Sequence, residues 1–390
     1  MIFRNALKKF FCLALAAAFA ANAFAVDFGG SVKNTTNIKG NSFSSLKLDQ
    51  IDDLALWLKI PFDKNGNVYL AAEGLYEFEY DQNAEKVYNR LDLSLLKFAA
   101  NLKLNGNACN VSAGRFLFSD LTGLIYNQNG DGLFASYEAN SFAVSVYGAY
   151  TGLLNAGIVK MLNHPNDTFS YDQDLPYDLA QKNIVTAATV SFPRVAKTQN
   201  ISAQFLGAFK LDSAYYNRMY ATLSLGGPIY KTFFYNLSST MQFHNLTGGS
   251  YDLSNLSRLS FTYYFPFKSF TVTLGGLYAS GSQGPFENFM GVTKSTAYNS
   301  LLDPQYSGIF KGSFAATIKP IASLLLFAGC DLVVDAQTSS CSYKGFQYNV
   351  GANWQILSDI SVGAGFLQYI DDKDSDENKV QISLNAMISF

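Results

Sequence analysis

Ionisable side chains recur at alternate positions in one part of this chain. Glu73, Glu77 and Glu79 share the odd positions of 68–80, and Arg90, Asp92, Lys97 and Arg115 follow in the next segments. A period of two places such groups on one face of a strand. If the first two segments pair as a hairpin with those faces aligned, Glu79 stands opposite Arg90 and Glu77 opposite Asp92. Glu73 then comes near Lys97, and Lys97 lies across from Arg115 of the following strand. A wall with acids above and bases below carries a transverse field that orients a polar molecule passing it. The plainer reading is a set of solvated, partly paired charges. Catalytic chemistry has little to work with. His164 and His244 are the only histidines, neither has metal-ligand spacing, and His244 with Asp252 is the sole acid–base candidate. A single histidine on a polar wall more commonly hydrogen-bonds there. Gly248-Gly249 and Gly275-Gly276 suit a loop and close strand packing better than a phosphate cradle.

The elements that would hold these residues are strands. The 390 residues include 33 Phe, 24 Tyr and 30 Gly but only nine Pro, a composition suited to many strands facing something apolar. No stretch reads as the ~20 apolar residues of a transmembrane helix. Arg4, Lys8 and Lys9, an apolar run from Phe10 to Ala21, and Ala23-Phe24-Ala25 have the order of a secretory signal peptide over residues 1–25. A single barrel unit is expected over 26–390. Without the leader, 25 basic residues face 30 acidic ones, a net charge of about −5 that offers nothing to nucleic acid. The remaining cysteines, Cys109, Cys330 and Cys341, are odd in number and predict no disulfide framework.

Alternation can be followed along the chain. Leu54, Leu56, Leu58, Ile60 and Phe62 share one face of the second strand, and Asp63-Lys64-Asn65-Gly66-Asn67 has the chemistry of a short turn. Within 90–104 the apolar set changes parity, from Leu91, Leu93 and Leu95 to Phe98, Ala100, Leu102 and Leu104. One extra residue near Leu96, a β-bulge, would keep both sets on one face. Strand 233–244 is the cleanest, with Phe233, Tyr235, Leu237, Met241 and Phe243 against Asn236, Ser238, Thr240, Gln242 and His244.

The last stretch carries the clearest signal. Val380, Ile382, Leu384, Ala386, Ile388 and Phe390 are all apolar, while four of the five residues between them are polar. This resembles the closing strand of a bacterial outer-membrane β-barrel. The resemblance implies that Phe390, with Ile388, Ala386 and Leu384, forms the signal read by the barrel-assembly machinery. The expected fold is all-β: a transmembrane antiparallel barrel of about 18 strands, with 16 the alternative, short periplasmic turns and longer external loops. Barrels of 16 to 18 strands leave an aqueous channel. The expected function is therefore a porin-like channel passing small polar solutes by diffusion, without cofactors, embedded in outer-membrane lipid and capable of forming homo-oligomers. The long loops 155–183 and 280–308 are candidates to fold inward. Asp167, Asp172, Asp174 and Asp178 in the first predict a weak preference for cations. The rival readings are a surface adhesin or receptor with a blocked lumen, and a transporter of hydrophobic molecules.

Overall fold

The computed structural model of the protein describes residues 26–159, 161–162, 170–211, 217–244, 252–282, 286–294, 307–337 and 341–390. The expected leader, His164, Asp167 and Gly248-Gly249 lie outside them. The strands are β1 (Asp27–Gly40), β2 (Lys47–Pro61), β3 (Val68–Asp81), β4 (Lys86–Leu104), β5 (Asn107–Ser119), β6 (Asn127–Glu138), β7 (Ala143–Tyr150), β8 (Asn183–Val195) and β9 (Gln199–Lys210). They continue as β10 (Arg218–Tyr230), β11 (Phe233–His244), β12 (Asp252–Tyr264), β13 (Thr271–Ala279), β14 (Ile309–Ile321), β15 (Leu324–Asp335), β16 (Ser342–Gln355), β17 (Ile360–Asp371) and β18 (Lys379–Ser389). All pair antiparallel with their chain neighbours. β18 pairs with β1 from Ser31↔Ser389 to Gly40↔Val380, so the 18-stranded sheet closes on itself. Closure removes every open edge, which is how a sheet satisfies its backbone in lipid.

Alternation decides which side each residue faces. Leu54, Leu56, Val144, Val146, Leu223, Leu237, Leu384 and Ile388 are exposed on the outside, whereas Ser238, Thr240, Gln242 and His244 are buried on the inner face. At the short-turn end Phe28, Phe62, Phe192, Tyr230, Phe265, Trp354 and Phe390 project outward as an aromatic girdle. The turns there have fitting chemistry. Asn105 (φ 51°) and Gly106 (φ 82°) form a two-residue connection whose positive φ angles match the strand twist. The Asp63 carboxylate accepts from the Val68 amide at 2.7 Å and the Asn65 amide at 3.3 Å.

Two expectations need correction. The bulge in β4 is at Ser94, since Glu73 pairs with Leu95 while Gly74 pairs with Leu93. Leu91 and Leu93 then share the exterior with Leu96 and Phe98, and Leu95 turns inward against the lumen cluster. The β3–β4 register also lies two residues from the expected one: Glu77 pairs with Arg90, Glu79 with Tyr88 and Leu75 with Asp92. A shift of two preserves every facing, so the hydrophobic pattern cannot distinguish the two registers. The turn sets it, closing at Asp81↔Lys86.

The wall is irregular in its long-loop half. The β4–β5 ladder stops at Leu96↔Arg115, leaving residues 86–95 of β4 without a β5 partner. The β6–β7 ladder likewise stops at Asp131↔Tyr150. Beyond these points the tip of the β5–β6 hairpin bends into the lumen, burying Phe116, Phe118, Leu124, Ile125 and Tyr126. Gly114 is at the bend with φ 114°, and a β-carbon there would lie 2.0 Å from the Leu96 carbonyl oxygen. The vacated place in the wall is taken by the β7–β8 connection. Residues 153–156 and 176–180 run side by side through the Asn155↔Leu179 bridge and the bonds Ala156 N–H to Asp178 O and Ala180 N–H to Leu154 O. The Leu91 N–H donates to Pro176 O at 2.9 Å. Proline has no N–H to return the bond, and the Leu91 carbonyl accepts instead from the Asn155 side chain at 2.8 Å.

Candidate functional site

Inside the cylinder three connections meet as a small sheet. Val292 and Thr293 both donate to Ile125 O, Leu162 N–H donates to Val292 O at 2.9 Å, and Met161 bridges Thr293. The wall holds this assembly. Arg218 donates to Gly291 O, the Tyr220 hydroxyl to Met290 O at 2.6 Å, and Met290 N–H to the Gln242 side chain at 2.9 Å. Phe116, Phe118, Ile125, Tyr126, Phe289 and Val292 pack with inner-face residues of β7–β13 into one apolar cluster. The part of the lumen beside β7–β13 is thus filled. Of the two long connections that are candidates to fold inward, the described part 286–294 does so, whereas the β7–β8 connection divides: Met161 and Leu162 reach the inner sheet while 153–156 and 176–180 stand in the wall. The hairpin tip at 120–126 joins them, although the Asn and Gly of 119–131 predict a loop between two strands. Its signal was available in the run Leu124-Ile125-Tyr126, which has no reason to sit in an external loop.

The charges predicted from sequence are distributed over this geometry. Arg90 reaches both Glu77 and Glu79 and lies over the Tyr88 ring. Glu73 accepts from the Ser94 hydroxyl at 2.6 Å rather than meeting Lys97, which pairs across from Ala71 on one side and Gly114 on the other. The Lys97 ammonium sits 4.9 Å from the Phe116 ring centre. Lys97 therefore does not face Arg115: the two-residue turn Asn105-Gly106 closes the ladder at Leu104↔Asn107, and that register carries Gly114 opposite Lys97 and Leu96 opposite Arg115. Arg115 shares its parity with the exterior residues Val111 and Leu117, yet it is only 6% exposed. Its guanidinium fills the place where β5 leaves β4. It donates to both Asp131 oxygens at 2.9 and 2.8 Å, to Leu153 O at 2.8 Å, to the Tyr177 hydroxyl at 3.2 Å and to Leu93 O at 3.3 Å, with Asp92 at 3.5 Å.

Other inner-wall ions escaped the sequence reading although the same parity argument finds them. Lys33 faces Asp53 at 3.7 Å and Lys39 bonds Asp49 at 2.7 Å between β1 and β2. Lys311, 1% exposed, meets Asp331 at 3.3 Å, and Asp331 also accepts from Gln347 at 3.0 Å. With Arg258, Ser313 and Asn349 they line a recess of about 220 Å³. His244, buried on the inner face, pairs across from Asp252.

A closed barrel of eighteen strands with a greasy exterior, an ionic wall and loops folded into the lumen is matched along nearly its whole length by solved structures. One is OpdK of Pseudomonas aeruginosa with vanillate, 14% identical, covering 94% of this chain and 98% of that one, with a TM-score of 0.64. The chain has the fold of an outer-membrane porin. A BenF-like porin from Pseudomonas fluorescens Pf-5 is 12% identical, with coverage of 94% and 98% and a TM-score of 0.64. OccK2 of Pseudomonas aeruginosa in complex with glucuronate is 11% identical, with coverage of 94% and 98% and a TM-score of 0.63. No protein-family model and no curated protein match the sequence. The likeness is one of fold: a closed barrel with an apolar exterior, short turns at one end and long connections at the other.

Proposed function

We propose that this protein is a porin-like channel for passive diffusion of small hydrophilic solutes, weakly preferring cations, and not an enzyme. The observation that carries the reading is a closed 18-stranded barrel whose inward loops fill one side of the lumen while Lys33, Asp53, Glu77, Arg90, Lys311 and Asp331 line the other. The neighbours bound to vanillate and glucuronate indicate small organic solutes as the cargo class. The wall ions are largely paired, which leaves little net field along the path. The exposed Asp172 and Asp174, with the half-buried Asp178 at the outer mouth, supply the small negative excess behind the cation preference. Reversal potentials across a salt gradient test it, and anion selectivity refutes it.

A second reading takes support from the same apolar cluster: a barrel blocked by its loops and used as a surface receptor. Conductance measured with and without deletion of 155–183 separates the two. A channel conducts before deletion, and a blocked receptor only after. In the same reading residues 1–25 are a cleaved export signal, and Leu384, Ala386, Ile388 and Phe390 present the closing strand to the assembly machinery. The protein meets outer-membrane lipid directly, with an exterior that leaves a homo-oligomer open to it.

A further inference from the structure

The barrel wall is not strand all the way round. Between β4 and β7, in the long-loop half of the wall, the place left by the inward β5–β6 tip is filled by residues 153–156 and 176–180. This panel meets β4 through the Leu91–Pro176 backbone bond and the Asn155 side chain, and meets β5 through Arg115, which donates to Leu153 O and the Tyr177 hydroxyl. A strand in that position would exchange backbone bonds with β4 along the whole of 86–95. Segments held by few backbone bonds and many side-chain ones open at a lower free energy than the ladders around them. The outer surface of the panel is apolar: Leu153, Leu175 and Leu179 are each about half exposed. Directly behind the seam, on the lumen side, lie Leu95, Phe116 and Phe118 of the apolar cluster. Between these two apolar faces the seam itself is polar, holding Arg115, Asp131, Asp92, the Asn155 side chain and the Tyr177 hydroxyl.

We infer that this seam is a lateral passage by which small apolar or amphipathic molecules cross between the lumen and the bilayer, with the panel as its door and Arg115–Asp131 as its clasp. It is a second route beside the axial diffusion path proposed above and rests on the same open barrel. A molecule with an aromatic or aliphatic body enters the cluster at Phe116 and Phe118 and leaves beneath Leu153 and Leu179 when the panel swings away from β4. Ions and sugars gain nothing from that route, because its lipid end offers them the leucines Leu153, Leu175 and Leu179.

The test is a lock. Leu91→Cys with Pro176→Cys joins the panel to β4 where their backbones already touch. Gram-negative cells bearing the full-length protein are then assayed for uptake of 1-N-phenylnaphthylamine, an apolar probe that fluoresces on entering membrane, and the purified variant is assayed for single-channel conductance. The expected result is that the oxidised lock cuts the protein-dependent uptake by about tenfold, that reduction restores it, and that conductance is the same in both states. Arg115→Ala, which removes the clasp, raises uptake in cells where the barrel still assembles. Equal uptake in oxidised and reduced cells, with the cross-link verified by mass, overturns the passage, as does uptake no greater than in cells lacking the protein. Conductance is read separately: its absence contradicts the axial channel and leaves the dye result to decide the lateral one.

Discussion

Removing the Arg115 guanidinium would leave the buried Asp92 and the partly buried Asp131 without the cation between them. Breaking a buried ion pair by deleting one partner costs about 3–5 kcal/mol, and here three further acceptors, Leu93 O, Leu153 O and the Tyr177 hydroxyl, lose their bond as well. Arg115→Ala is therefore expected to lower the temperature at which the folded barrel converts to its slow-migrating heated form on a denaturing gel, with Arg115→Lys intermediate because an ammonium cannot span both Asp131 oxygens. An unchanged transition would remove Arg115 from its structural role. At Arg90 the expected effect is on ions rather than folding. Glu77 and Glu79 hold one guanidinium between them, so Glu77→Gln with Glu79→Gln leaves that cation uncompensated on the passage wall. The reversal potential in a salt gradient should then move toward anions, and no movement would show that the passing ion does not sense this wall. The residues themselves were legible as a period-two ionic face. Their partners were not, because a strand slipped by two keeps every side chain on its side while moving each pair, and only the closure at Asp81↔Lys86 selects among such registers.

Turns and inward loops carry the next level of the account. The Val68 amide, bonded to the Asp63 carboxylate, holds the Asp63 pKa below its ordinary 3.8, so the charged form is favoured in the folded turn. The stabilisation is present above the unfolded value and is lost as pH falls through the lower folded value. Amide exchange at Val68 should lose protection over that acid range in the wild type. Asp63→Asn should show no such pH dependence, and identical profiles would contradict the link. In the lumen, Val292→Pro removes the N–H that donates to Ile125 O at 2.7 Å. That bond, beside the one Thr293 N–H gives the same carbonyl, ties the β13–β14 connection to the hairpin tip, and a proline there is expected to enlarge the single-channel step without changing strand content. A step of wild-type size would mean that the small sheet does not set the narrowest point. The strands were readable because lipid and water impose opposite demands on alternate residues. The inward tip was not, because 120–126 has no period, and its apolar run Leu124-Ile125-Tyr126 stands between residues rich in Asn and Gly that read as external loop. The panel was hidden for a similar reason: Leu153, Pro176 and Leu179 belong to no repeating pattern and reach the wall only because another hairpin has left it.

Taken as one object, the chain satisfies its backbone by joining β18 to β1, where Phe390 and Gly30 exchange bonds of 2.9 and 2.8 Å. Everything proposed for it depends on the cylinder being open to water from end to end beside β14–β18 and β1–β4, with the apolar cluster occupying only the remaining side. The direct measurement is current through the purified, folded full-length barrel in a planar lipid bilayer. Discrete, reproducible steps whose size scales with salt concentration are the expected result. A correctly folded barrel that inserts and passes no ions would contradict the account.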